Sequence, residues 1–221
     1  MIEFRSVEQS YTTEILRKGI HLTSLLIPII YYFIPKATAL SILIPLTLAF
    51  ALSDLLRILY EPAGDLYERF FGFLLRSHER VGRGRKLNGA TWVLLSATLT
   101  MWLFPKVVFI TAFAILIVSD TSAALIGRRF GRRPFLKKTA EGALAFFLSA
   151  LLVVLVAPKI GASATEYAIG GVAALIGAIV ESGASGIDDN VSIPVSVGGT
   201  LWALYALLLP SVDVYGLDRL G

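Results

Sequence analysis

Seven apolar stretches alternate with polar connections along this chain, at 20–34, 37–59, 89–104, 107–126, 143–157, 165–180 and 195–209. Several are shorter than the ~20 residues that cross a bilayer unaided, so flanking residues or neighbouring helices must complete them. The pattern predicts an all-α polytopic transmembrane bundle of about seven spans; a six-span alternative makes the first stretch, interrupted by Pro28, re-entrant. Connections at Pro35, Pro105 and Pro158 read as tight turns, because proline does not continue a helix. Between the second and third stretches, 62–86 is too polar to cross. There Leu66, Phe70, Phe73 and Leu74 recur at helical spacing among Asp65, Glu68, Arg69, Arg76, Glu79 and Arg80, predicting an amphipathic helix in the interfacial plane. In the sixth stretch Gly170, Gly171, Ala173, Ala174, Gly177 and Ala178 permit close helix packing, within or between protomers. No repeat or linker divides the chain, and 1–221 reads as one domain.

Composition agrees with that class. The 221 residues are 56% hydrophobic and 16% charged, with a mean hydropathy of +0.74, whereas soluble domains carry about a quarter charged residues. There is no cysteine, which excludes disulfides, thiolate nucleophiles and cysteine zinc sites. Residues 1–18 are polar and mixed, unlike a cleaved signal peptide. With seven spans, only Lys36, Lys106, Lys159 and Arg219 fall on one side, and the other 16 of the 20 Lys and Arg on the opposite side. That asymmetry predicts a cytoplasmic N-terminus.

Four polar clusters share the predicted cytoplasmic side. Glu14, Arg17, Lys18 and His21 lie on one face of a helix entering the membrane. Asp54 and Arg57 stand one turn apart near the end of the second stretch, with Asn88 opening the third. Asp120 sits inside the fourth stretch, and a carboxylate at membrane depth signals function by default. If that helix ends near Ile126, Asp120 lies ~10 Å below its end, where Ser119, Thr121 and Ser122 offer polar contacts. Gly127 and Gly131 let backbone amides approach phosphate, Arg128 and Lys138 supply positive charge, and Thr139 is placed to cap the next helix. No GxxxxGK[ST] occurs, so this is not a P-loop. The last cluster, Glu181 with Asp188, Asp189 and Asn190, carries oxygen ligands suited to Mg2+ and has no Lys or Arg between its members. Basic loops for phosphates, acids for Mg2+ and a lipid-facing bundle together describe phosphoryl or nucleotidyl transfer to a lipid.

The patterns E-x2-RK-x2-H (Glu14 to His21), D-x2-A-x3-G-x3-G (Asp120 to Gly131), K-T-x-E-G (Lys138 to Gly142) and D-N-x3-P (Asp189 to Pro194) run through most of the chain. In these it resembles the integral-membrane lipid kinases that include dolichol kinase, phytol kinase and the CTP-dependent diacylglycerol kinases. The resemblance implies transfer of the γ-phosphate of CTP, or another nucleoside triphosphate, to an isoprenoid alcohol or diacylglycerol with Mg2+, and no nucleic-acid partner. It implies Asp120, Lys138, Glu141 and His21 as catalytic residues, with Glu141 orienting Lys138. Nucleotide contacts would come from Arg17, Lys18, Gly127, Arg128, Gly131, Lys138 and Thr139, and metal contacts from Asp120, Asp188 and Asp189. Glu14, Asp54, Arg57, Asn88, Glu181 and Asn190 would complete the polar site. Asp120 is the first choice for activating the acceptor hydroxyl, with a metal-ligand role left open. Phosphatidate cytidylyltransferases share the Asp120-to-Gly142 core, but their late HGG and DR signature is replaced here by SGIDDN. A CDP-lipid synthase is therefore the alternative rather than the first expectation.

Overall fold

The computed structural model describes residues 2–71, 87–183 and 186–219. Nine α-helices account for nearly all of them: α1 (Ile2–Thr23), α2 (Leu26–Phe33), α3 (Lys36–Leu59), α4 (Glu61–Phe71), α5 (Gly89–Leu103), α6 (Lys106–Phe130), α7 (Ala140–Val156), α8 (Ala164–Gly183) and α9 (Asp189–Leu208). A two-stranded hairpin, β1 (Pro134–Phe135) and β2 (Lys138–Thr139), joins α6 to α7, and a 3-10 turn covers Gly216–Arg219.

The fold is all-α, and α3, α6, α8 and α9 are each long and apolar enough to cross a membrane. α5 and α7 are apolar but shorter. The first apolar stretch breaks at Ser24–Leu25 rather than at Pro28, which lies in the first turn of α2, where a helix tolerates a missing N–H. The start of the predicted amphipathic segment is helical, as α4 (Glu61–Phe71), with Leu66 and Phe70 exposed. Phe73, Leu74, Arg76, Glu79 and Arg80 of the predicted amphipathic segment lie outside the described residues.

Residue pairs fix the directions of the helices. Glu14 meets Arg128, Lys18 meets Asp120, and Lys106 reaches the Ile34 carbonyl, so α1 and α2 together run antiparallel to the whole of α6. α3 and α5 are antiparallel through Asp54–Asn88 at one end and Lys36 on the Trp102 and Phe104 carbonyls at the other. Lys138–Glu181 and Tyr205–Glu166 set α8 and α9 in the same alternation. α6 is the axis, packed by α1, α2, α5, α7 and α9, with Phe109, Phe113, Ile115, Leu116 and Ile117 fully buried. α3 shows the opposite character: Ile42, Leu46, Leu48 and Leu52 all face outward, an apolar surface suited to lipid.

Small residues in α8 act as predicted for core packing. A Cβ on Gly170 would lie 2.4 Å from Val154 of α7, and one on Gly177 would lie 2.9 Å from Val197 of α9. At the end remote from Asp120, the three lysines of the sparsely charged side close helix ends. Lys36 donates to carbonyls at the end of α5, Lys106 to Ile34 after α2, and Lys159 to Val154 and Ala157 after α7. Each satisfies carbonyls that a helix C-terminus leaves without partners.

Candidate functional site

At the opposite end, α1, α6, β2, α7, α8 and α9 enclose a half-open cavity of about 530 Å³. Glu14, Lys18, Asp120, Ala123, Ala124, Gly127, Arg128, Lys138, Thr139, Gly142, Glu181 and Asp189 line it. Three of the four polar clusters therefore converge in one place, although as many as 175 positions separate their members.

Each cation in the cavity faces a carboxylate. Lys18 donates to Asp120, and His21 Nε2 stands 3.7 Å from the same Oδ2. Glu14 pairs with Arg17 at 3.3 Å and with Arg128 at 3.2 Å. Lys138 Nζ is held by Glu181 at 2.7 Å and Asp189 at 2.9 Å. Burial alone would push the Lys138 ammonium down, but Asp189 and Glu181 outweigh it and hold its pKa above the usual lysine value. Of these cations, Arg128 is the most open, with 46% of its side chain exposed, and Lys138 follows at 33%. An anion entering from solvent meets these two first.

The local structure around the cavity follows from caps and close packing. Thr139 caps α7 by accepting the Gly142 N–H, as its position predicted. Gly127 and Gly131 serve a different purpose from amide exposure. A Cβ on Gly127 would stand 3.0 Å from Thr139 Oγ1, and one on Gly131 would stand 2.2 Å from the Gly127 carbonyl and 2.7 Å from Thr139 Cγ2. They let the end of α6 sit directly against the start of α7. Gly131→Ala is accordingly expected to cost about 1–3 kcal/mol through overpacking, read as a lower unfolding temperature in detergent.

Other expectations are corrected by the structure. α6 continues to Phe130, so Asp120 lies ten residues, about 15 Å, below its end. Thr121 and Ser122 bond back to the Ile117 and Val118 carbonyls of their own helix instead of to Asp120. Glu141 does not orient Lys138; its carboxylate accepts the backbone N–H groups of Arg132 and Arg133. The residues that hold Lys138 are Glu181 and Asp189. Asp188 caps α9 and accepts from Asn190 N and Nδ2, so these two side chains shape the helix start rather than the cavity wall. Asp54, Arg57 and Asn88 form a separate buried node with Tyr67, tying α3, α4 and α5 together outside the cavity.

Glu166 was not singled out by any spacing, yet it is buried at the far end. It accepts from Ile160 N, Gly161 N, Ser163 N and Tyr205 OH. Ser163-Ala-Thr-Glu166 is a capping box, and the Glu166 N–H donates back to Ser163 Oγ. That tetrapeptide was the available signal.

Among the described residues, no three acidic or histidine side chains converge so as to hold a metal by themselves. Mg2+ needs only one or two carboxylates when phosphate and water oxygens complete its shell. Asp120 and Asp189 both line the cavity, so the donor set fits an ion that arrives with a phosphate.

Fold and site define a class: an all-α helical protein with membrane-length helices and a cavity of paired charges at one end of the bundle. The chain is 32% identical over 183 residues to an uncharacterized protein of Rickettsia prowazekii, covering 81% of this chain and 89% of that one. It belongs to the same family as that protein. No family model and no solved structure matches it.

Proposed function

We propose that this protein is a multi-pass membrane kinase for a lipid alcohol, using CTP or another nucleoside triphosphate with Mg2+. In this reading all seven apolar segments cross the bilayer, and the cavity end faces the cytoplasm, where the nucleotide is. The observation that carries it is the convergence of E-x2-RK-x2-H, the Asp120 helix, K-T-x-E-G and the Asp189 turn on one cavity. Arg128 and Lys138 are the cations placed to take the triphosphate, because each is partly exposed. Lys18 anchors the Asp120 carboxylate, with His21 beside it, and this group orients the acceptor hydroxyl. Bound Mg2+ would neutralise phosphate charge, with Asp120 and Asp189 as its protein ligands. Asp188 drops out of that set, since it does not line the cavity.

The test is product identification. Purified protein with radiolabelled CTP, Mg2+ and a panel of polyprenols, phytol and diacylglycerol is expected to yield CDP and a lipid monophosphate. In a parallel reaction with phosphatidate as acceptor, pyrophosphate and a CDP-lipid would establish the cytidylyltransferase instead, and no turnover with any nucleoside triphosphate would remove the enzyme reading.

A further inference from the structure

The connection from α6 to α7 carries more positive charge than the cavity uses. Arg128 and Lys138 line the cavity, whereas Arg129, Arg132 and Arg133 do not, and all three are exposed. Beside them Phe130, Phe135 and Leu136 are 54%, 39% and 61% exposed. Leu136, at the hairpin tip, has a φ of 51°, a left-handed conformation uncommon outside glycine, and it projects from the fold instead of packing into it. The one acid of the segment, Glu141, turns its carboxylate onto the Arg132 and Arg133 backbone amides, which leaves the arginine side chains outside that bond. The hairpin is anchored from the other side by the Lys137 N–H on the Ser182 carbonyl at 3.0 Å.

Helix length places this surface. At ~1.5 Å per residue, α6 is about 37 Å long, against a hydrocarbon core of about 30 Å. Its last turn and the hairpin therefore stand at headgroup level. Arginine binds phosphate oxygens through a planar fork, and flanking aromatic and aliphatic side chains enter the acyl boundary.

We infer that Phe130, Phe135, Leu136 and the arginines at 129, 132 and 133 form a docking surface for anionic phospholipid headgroups of the surrounding bilayer. The inference rests on the bundle being membrane-embedded and not on its kinase chemistry. Because β2 of the same hairpin carries Lys138 and Thr139, docking holds one wall of the cavity in place.

The chain has no cysteine, so Leu136→Cys provides a unique site for an environment-sensitive fluorophore. Labelled protein is reconstituted in nanodiscs of phosphatidylcholine with and without phosphatidylglycerol, with a lipid-borne quencher in both. Quenching is expected to rise with phosphatidylglycerol and to fall at high salt. Each cation near an anionic surface adds about fivefold to partitioning. Replacing Arg129, Arg132 and Arg133 by glutamine should therefore lower the docking equilibrium constant, read from quenching against phosphatidylglycerol content, by about a hundredfold, and replacement by lysine should largely keep it. Equal quenching in both nanodiscs, or a salt-insensitive signal, overturns the inference and leaves these arginines as determinants of chain orientation only. A glutamine variant that quenches like the parent also overturns it. Should that variant fail to fold, the salt titration of the parent decides. Failure to enter either nanodisc removes the embedded bundle and this inference together, whatever the kinase assay gives.

Discussion

Under the proposed kinase function, Lys138→Ala is expected to reduce lipid phosphorylation by about 10²- to 10³-fold, the usual effect of losing one preorganised charge donor. The lysine is clamped by Glu181 and Asp189 at 2.7 and 2.9 Å, so its ammonium is held in place before any substrate arrives. The loss should appear in turnover measured with a lipid alcohol and labelled CTP. Alanine also strands Glu181, whose side chain is 4% exposed, so some stability will be lost. Adding Glu181→Gln removes that stranded charge. The double variant should regain thermal stability without regaining activity, which separates catalysis from folding. Full activity in a folded Lys138→Ala protein would end this site assignment.

The pH behaviour of the clamp follows from its sign. The folded pKa of Lys138 is raised by two carboxylates that outweigh burial. Its contribution to stability is therefore complete below the ordinary lysine value of about 10.4 and is lost only as pH rises through the higher folded value. The difference in unfolding temperature between parent and Lys138→Ala should stay flat from pH 6 to pH 9.

Asp54→Ala is expected to cost about 3–5 kcal/mol of stability, the range for breaking a buried ion pair by removing one partner. Asp54 is fully buried and accepts from Arg57 Nε at 3.1 Å, Arg57 NH2 at 3.0 Å, Asn88 N at 2.7 Å and Asn88 Nδ2 at 2.9 Å. The Arg57 guanidinium also lies over the Tyr67 ring at 5.3 Å, and Asn88 donates to Tyr67 OH at 2.9 Å. Truncation removes the Asp54 carboxylate from beside the Arg57 guanidinium, which is 2% exposed. Thermal unfolding in detergent reads the loss. Under the proposed kinase function, turnover per folded molecule should hold, since none of these residues lines the cavity. An apolar double replacement, Asp54→Leu with Arg57→Met, should recover much of the stability, because the buried ion pair is then replaced as a unit by apolar side chains. A catalytic role for the node would show instead as lost turnover in that stable double variant.

Much of the helical layout was legible because apolar run length and proline placement are local properties. Pro35 and Pro105 stand at the N-caps of α3 and α6, and Thr139 and Asn88 cap α7 and α5 through their own side chains. The small residues of α8 were readable for the same reason. The β1–β2 hairpin was not, since Phe135-Leu136-Lys137-Lys138 contains no Asn-Gly, Asp-Gly or glycine turn signal. Partner choice was also hidden. Glu141 stands three residues from Lys138 in the chain, yet it bonds backbone amides, while Lys138 takes partners 43 and 51 positions away. Spacing along one helix says which side chains share a face and nothing about what faces them.

Asp120 shows where that boundary lies. By itself the sequence determined that a carboxylate sits inside the fourth apolar stretch, near a basic connection and ahead of K-T-x-E-G. Composition and period determined that this stretch is a helix. Only the tertiary structure decided that α6 is the buried axis and that Lys18 and His21 come from a helix running the other way. It also decided that Glu181 and Asp189 turn toward Lys138 and that Asp54 belongs to a separate node. The physical reason is that a helix is specified by contacts within a few residues. Charge pairing in a bundle depends instead on which helices pack together, and that packing is settled by apolar faces and glycine contacts spread over the whole chain.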